Sequence, residues 1–376
     1  MKPIKIAFCI ITTSLLLLSC ESATEPDSNP QPTNDFMVDP FATDETVSLY
    51  RNLKELAKRK ILFGHQDDLA YGIGWSDEQG ESDIYRVVQD YPAVYGWDIG
   101  ALPGGNILDG VNFNSIREWI QEGYSRGGVI TISMHLDNPT TGNDAWDNSQ
   151  AVTHILPDGP DHDSYMETLM RIASFLQSLT DADSRPIPVF FRPYHEHNHN
   201  WPWWGASSCT PEEYNELWRM TVSYLRDERE LHNLIYVISP QEVDTREAYL
   251  HRYPGDDWVD VLGLDNYQLY RNDMVSVLGA QLSMITQLAE EKNKFAALTE
   301  VGAPITETWW TQRLLKALKQ DEFSRSIAWA LVWRNASEEH HFAPYPGHVS
   351  VPDFYRFYAD SLTMFESQLP DLYGPQ

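Results

Sequence analysis

Eight short apolar runs punctuate the chain: KILFG (60–64), AVYGW (93–97), VITISM (129–134), IPVFFR (187–192), LIYVI (234–238), VDVLGL (259–264), FAALT (295–299) and IAWALVW (327–333). Each is closed by Gly, Pro, Asn, Asp or another polar residue and followed by a stretch of helical period. The runs are apolar throughout rather than alternating, as strands covered on both faces of a parallel sheet are. Between them, Tyr165, Leu169, Ile172 and Leu176 lie on one helical face, and Ser164 with Glu167 predicts a capping box at its start. Thr210-Pro211-Glu212-Glu213 opens a second helix with a cap, Pro at the first position and acid at the third; Tyr214, Leu217, Trp218, Val222 and Leu225 form its apolar face. Eight strand-then-helix units predict an α/β fold, a single (β/α)₈ barrel. A doubly wound open sheet is the alternative, but the Gly-rich phosphate turn usual after its first strand is missing.

The first twenty residues have another character. Lys2 and Lys5 precede an apolar stretch, 6–18, too short to span a bilayer comfortably. It ends Leu17-Leu18-Ser19-Cys20, which resembles a bacterial lipobox. The expectation is a lipoprotein signal over 1–19, lipidation of Cys20, and a lipid-anchored place in the bacterial cell envelope, with no other membrane contact. Loss of 1–19 removes Cys9 and leaves only Cys209 beside the committed Cys20, so no intrachain disulfide is available. Residues 21–42, rich in Pro, Ser, Thr, Asn and acids, read with Cys20 as a flexible tether over 20–42; one domain then fills 43–372.

The chain has 376 residues, with 55 Asp and Glu against 27 Lys and Arg, a formal charge of −28. Loss of Lys2 and Lys5 with the signal takes it to −30. Such a surface repels nucleic acid and anionic lipid, so a neutral partner is expected. Thirteen tryptophans exceed what a core needs, and exposed indole faces are what hydroxyl-rich rings such as sugars stack on.

Barrel chemistry sits where strands end at the C-terminal face. The polar residues there are His65, Asp98, His135, His195 with Glu196, Gln241, Asp265 with Tyr267, Glu300, and Trp333 with Arg334. No Lys, Cys or Ser nucleophile joins them. Glu196 follows the fourth strand and Glu300 ends the seventh, across the mouth from each other. Two such carboxyls, with imidazoles and stacking rings, are the equipment for breaking a glycosidic bond; their separation decides between retention and inversion. The segment 195–199 also spells HExxH, but zinc binding by that motif needs a helix, and Pro193 with Asn200, Trp201 and Pro202 gives loop composition. Neither metal nor cofactor is called for.

The segments FGHQ (63–66), YPAVYGWD (91–98), SMHLDNP (133–139), FFRPYHEHN with WWG (190–205), YPGDDWVDVLGLDNY (253–267), LTEVG (298–302) and VWRN (332–335) together resemble glycoside hydrolase family 26, dominated by β-1,4-mannanases. That resemblance implies a (β/α)₈ fold and a retaining mechanism, with Glu196 as acid/base and Glu300 as nucleophile. It makes His135, His195, Trp201, Tyr267 and Trp333 substrate contacts: Trp333 a platform under the reacting sugar, Trp201 a stacking face on the leaving-group side, and Tyr267 a partner of Glu300. Arg192 is a candidate to pair with Glu300, and Asp98 and Asp265 are candidates for sugar hydroxyls. The expected partner is a neutral β-mannan or manno-oligosaccharide, and the expected state a monomer. Alternatives are another β-glycanase of the family, acting on β-1,3-xylan or mixed-linkage glucan, or a glycan-binding lipoprotein without turnover.

Overall fold

The structure, a computed structural model, describes Met1 and residues 34–100 and 113–375. The signal, Cys20 and the first part of the tether lie outside the described residues. Eight parallel strands are present where the apolar runs fall: β1 (Ile61–Gln66), β2 (Val94–Asp98), β3 (Val129–Ser133), β4 (Val189–Arg192), β5 (Leu234–Ile238), β6 (Val261–Asn266), β7 (Phe295–Val301) and β8 (Trp329–Val332). Each pairs with the next, and β8 pairs back onto β1 (Leu62 opposite Trp329, His65 opposite Val332), which closes the barrel.

Side chains alternate between two apolar compartments along each strand. Phe190 on β4 and Trp329 on β8 meet at 4.9 Å. Those strands are not neighbours, so the contact crosses the barrel interior, where Leu62, Val94, Ile235 and Leu331 join it. Phe63, Tyr95, Phe191 and Leu262 point the other way, into the layer under the helices. The helix Asp44–Ala57 plugs the lower end, with the Tyr50 ring 5.0 Å from that of Phe295.

Helix starts follow local chemistry, with one correction. Thr210 and Glu213 form the reciprocal capping box expected for Pro211–Ser223. The box expected at Ser164 is absent: the helix His162–Gln177 begins earlier, at Asp161, whose side chain makes no capping bond to the helix and instead accepts from the Thr140 hydroxyl (2.9 Å). His162 Nδ1 against the Ile155 carbonyl (2.8 Å) anchors that start, so Ser164 falls inside the first turn. The buried stripe Tyr165, Leu169, Ile172 and Leu176 is as read.

The tether boundary is also corrected. From Asn34 on, the chain is docked on the barrel: Val38 N donates to Asp260 (2.8 Å), Asp39 pairs with His232 (2.8 Å) and Phe36 packs on Tyr50 (5.7 Å). At the other end the packed chain runs beyond 372, since Asn52 Nδ2 donates to the carbonyls of Leu372 and Gly374. Ten of the thirteen tryptophans are buried; Trp201 and Trp258 are half-buried and Trp146 is exposed. Aromatic abundance therefore serves packing more than the expectation of ligand stacking allowed.

Candidate active site

Irregular backbone places the two glutamates. β7 carries one residue more than either neighbour at Thr299–Glu300, because Leu264 and Asp265 of β6 face Leu298 and Glu300, while Ala330 and Val332 of β8 face Leu298 and Val301. Such bulges re-aim a side chain, and here Glu300 comes level with Asp265. Beyond β4 the chain turns without forming a helix; Tyr194 (φ 48°) and Glu196 (φ 52°) are left-handed, a strain of about 1–3 kcal/mol each that only the surrounding structure sustains. Glu196 N donates to the Ser239 carbonyl (2.8 Å) and holds the turn against β5. The histidines of the HExxH spelling thus share no helix face. His197 turns to the Tyr214 hydroxyl (3.1 Å).

Carboxylate oxygens of Glu196, Asp265 and Glu300 lie within 4.8 Å of one another, the one such buried group among the described residues. Arg192 reaches from β4 to two of them: Nη1 donates to Asp265 (2.8 Å) and Nη2 to Glu300 Oε1. The Tyr267 hydroxyl donates to Glu300 Oε2 (2.7 Å), so both oxygens of Glu300 are held. Among the described residues no cation pairs with Glu196; its Oε2 accepts from the Trp201 indole N–H (2.6 Å). Burial, then the charges of Asp265 and Glu300, push its carboxyl well above the usual range, against the Trp201 bond and Arg192. Burial also raises Asp265 to about 7, with Glu300 adding to it and Arg192 opposing. Of the three acids around this guanidinium, Glu196 is the one whose side-chain donor is a neutral indole, which favours its protonated form.

Asp98 and Asp265 do not have the role expected of them. Asp265 is 0 % exposed, with Oδ2 on Arg192 and Oδ1 on the Thr299 hydroxyl (2.6 Å), so no sugar reaches it. It holds Arg192 instead. The buried Asp98 carboxylate accepts from Gly100 N (2.9 Å), Ser133 Oγ (2.8 Å) and His135, both N (3.2 Å) and Nδ1 (2.7 Å). Burial works against its charge, but His135 and these donors bring it down to about 2. His135 Nε2 faces His195 Nε2 at 3.2 Å. His65 turns to Asp68 (2.7 Å) and Arg334 to the Tyr71 hydroxyl (3.4 Å).

Aromatic rings wall this group. His135 stacks on Trp146 (5.5 Å, 14°) and Trp201 (5.6 Å, 24°), which are 5.3 Å from each other, with Trp333 5.9 Å away. Trp146, half exposed, was not singled out from the sequence; a lone indole in the polar stretch 137–150 was the available signal. Glu242, also missed, follows β5 and accepts the backbone N–H of Tyr267 (3.1 Å). Gly302 has no Cβ because one would lie 2.5 Å from the Tyr267 ring and 2.6 Å from Phe342.

A closed barrel with paired carboxyls at the ends of β4 and β7, in an aromatic mouth, defines a glycoside hydrolase of the (β/α)₈ class. Its sequence between residues 38 and 343 matches the profile of glycosyl hydrolase family 26, and the chain belongs to that family. It is 36 % identical over 274 residues to a mannan endo-1,4-beta-mannosidase of Bifidobacterium adolescentis, covering 69 % of this chain but 27 % of that much longer protein. A Bacillus subtilis mannan endo-1,4-beta-mannosidase is 30 % identical over 80 % of this chain and 83 % of its own. Among solved structures, a GH26 beta-mannanase from Bacteroides ovatus superposes with a TM-score of 0.85 at 42 % identity, over 89 % of this chain and 98 % of that one.

Proposed function

We propose that this protein hydrolyses β-1,4-mannosidic bonds of mannan, glucomannan or galactomannan with retention of configuration, Glu300 acting as nucleophile and Glu196 as acid/base. The observation that carries the reading is the approach of the Glu196 and Glu300 oxygens to within 4.8 Å. Retaining enzymes hold their carboxyls about 5–5.5 Å apart, whereas inverting ones need about 6.5–9.5 Å to admit a water. The choice of mannan rests on the named activities of the relatives. Cys20 as a lipid attachment site, and with it an envelope location, rests on the lipobox spelling alone.

In this reading Glu300, oriented by Arg192 and Tyr267, attacks the anomeric carbon and forms a glycosyl ester. Glu196 gives its proton to the departing sugar oxygen. Esterification removes the negative charge of Glu300, one of the causes that raise Glu196. With that charge gone the Glu196 pKa falls, so Glu196, having given up its proton, persists as a carboxylate able to take a proton from the attacking water. Proton NMR of the first product from mannohexaose tests the reading. A β-anomer appearing before mutarotation is expected; an initial α-anomer refutes retention, and cleavage of β-1,3-xylan or mixed-linkage glucan with mannan untouched refutes the substrate.

A further inference from the structure

Asp98, His135 and His195 form a line of hydrogen bonds from the end of β2 to the neighbourhood of the paired glutamates. Asp98 Oδ2 is 2.7 Å from His135 Nδ1, His135 Nε2 is 3.2 Å from His195 Nε2, and that nitrogen is 3.8 Å from Glu300 Oε1. His195 Nδ1 is buried and has no hydrogen-bond partner among the described residues. A carboxylate only accepts, so His135 Nδ1 carries hydrogen whatever the charge of the ring. Two arrangements remain. When His135 is protonated, its Nε2–H donates to His195 Nε2, and neutral His195 holds its hydrogen on Nδ1. When His135 is neutral, its Nε2 is a lone pair; His195 then donates from Nε2, and its Nδ1 becomes an acceptor.

We infer that Asp98 and His135 set the tautomer of His195, so that loss of one proton from His135 turns the unpartnered Nδ1 from a donor into an acceptor. Asp98 is thus a positioning residue that works through two imidazoles. The titratable and charged groups facing the pair are Asp98, Arg192, His197 and Glu300; the rings packed on it, Trp146, Trp201, Trp204 and Trp333, are neutral. Burial, Arg192, His135 and His197 hold His195 neutral. Burial alone would also discharge His135, but the Asp98 charge and hydrogen bond outweigh it and raise its affinity for the second proton, with Glu300 adding to them. The switch also removes a positive charge from the surroundings of Glu300. Its importance for turnover rests on the function proposed above; the proton arrangement does not.

The test is long-range proton–nitrogen NMR of the full chain with ¹⁵N-labelled histidine, across the pH range in which it stays folded. The protonated nitrogen of His195 is expected to change from Nδ1 at low pH to Nε2 at high pH, with the midpoint where His135 titrates. In Asp98→Asn the backbone N–H groups of Gly100 and His135 both point to the Oδ1 position, which the amide oxygen must take. The amide NH₂ then faces His135 Nδ1, His135 donates from Nε2, and His195 keeps its hydrogen on Nδ1 at every pH: the switch is lost. A wild-type His195 with one tautomer throughout, or an Asp98→Asn protein that still switches, overturns the inference. Should the variant not fold, the wild-type titration decides alone. Mannan turnover on the same samples separates the two readings. A switch without turnover refutes the function and leaves the relay, and turnover without a switch refutes the relay.

Discussion

Replacing Trp201 by Phe isolates the one side-chain hydrogen bond that Glu196 accepts among the described residues. The indole N–H donates to Glu196 Oε2 at 2.6 Å and is among the causes that hold its carboxyl down, against the larger effects of burial, Asp265 and Glu300. A phenyl ring keeps an aromatic face beside His135 and Trp146 (5.6 and 5.3 Å in the native protein) but gives no hydrogen. A hydrogen bond to a charged group contributes about 1.5–3 kcal/mol. At 1.36 kcal/mol per pH unit, its loss raises the Glu196 carboxyl by about 1–2 units further. The acid step needs protonated Glu196, so the alkaline limb of kcat/KM on mannotetraose moves up by about 1–2 pH units. Any loss of stacking lowers the whole curve without moving that limb, so the two effects separate in one experiment. Trp146→Phe, which leaves the Trp201 indole bond to Glu196 intact, is the control and leaves the limb in place. An unmoved limb in Trp201→Phe, or one displaced to lower pH, refutes the assignment of Glu196 as the acid or of the indole as its partner.

Asp265→Asn moves the same limb the other way, because it removes a negative charge that raises Glu196 and frees Arg192 to act on it; a pH profile of kcat/KM checks the sign. Glu300→Ala lowers kcat by roughly four to six orders of magnitude, and azide restores turnover with the product anomer inverted, read by NMR. Trp329→Ala empties the barrel interior opposite Phe190 and costs about 3–5 kcal/mol, measured from the urea midpoint. If Cys20 carries the lipid proposed for it, the wild type sediments with the membrane fraction of its host and Cys20→Ser is recovered in the soluble fraction, read by fractionation and immunoblot.

The barrel was legible because its strands are covered on both faces. Where that cover is complete, as in LIYVI, the run and the strand coincide at Leu234–Ile238. Where an apolar run includes a residue with other work, the edges differ. Val259 and Asp260 belong to the approach to β6, since the Asp260 carboxylate accepts the backbone N–H groups of Val38 and Tyr236 from outside the strand. The tether was misjudged for a related reason. Residues 34–42 follow directly on the polar run 21–33, and although Phe36, Met37, Val38, Phe41 and Ala42 mark them off, the cluster is too short and too interrupted by Asp39 and Pro40 to show a period.

Strand ends also located the paired glutamates, Tyr267 and the aromatic walls, but sequence position says which residues reach the mouth, not how they divide its charges. Asp98, Asp265 and Glu196 read alike in the chain: acids at strand ends, each close to an aromatic residue. What separates them is the donor each one meets. Asp265 faces a guanidinium, Asp98 an imidazole and two backbone N–H groups, Glu196 a neutral indole. Arg192, itself within an apolar run, supplies a single positive charge for the three acids that crowd it. That shortage favours the protonated form of the member with the weakest donor, as the general-acid role proposed for Glu196 requires. One arginine reaching two carboxylates and not the third is thus the asymmetry on which the proposed division of roles between Glu196 and Glu300 rests.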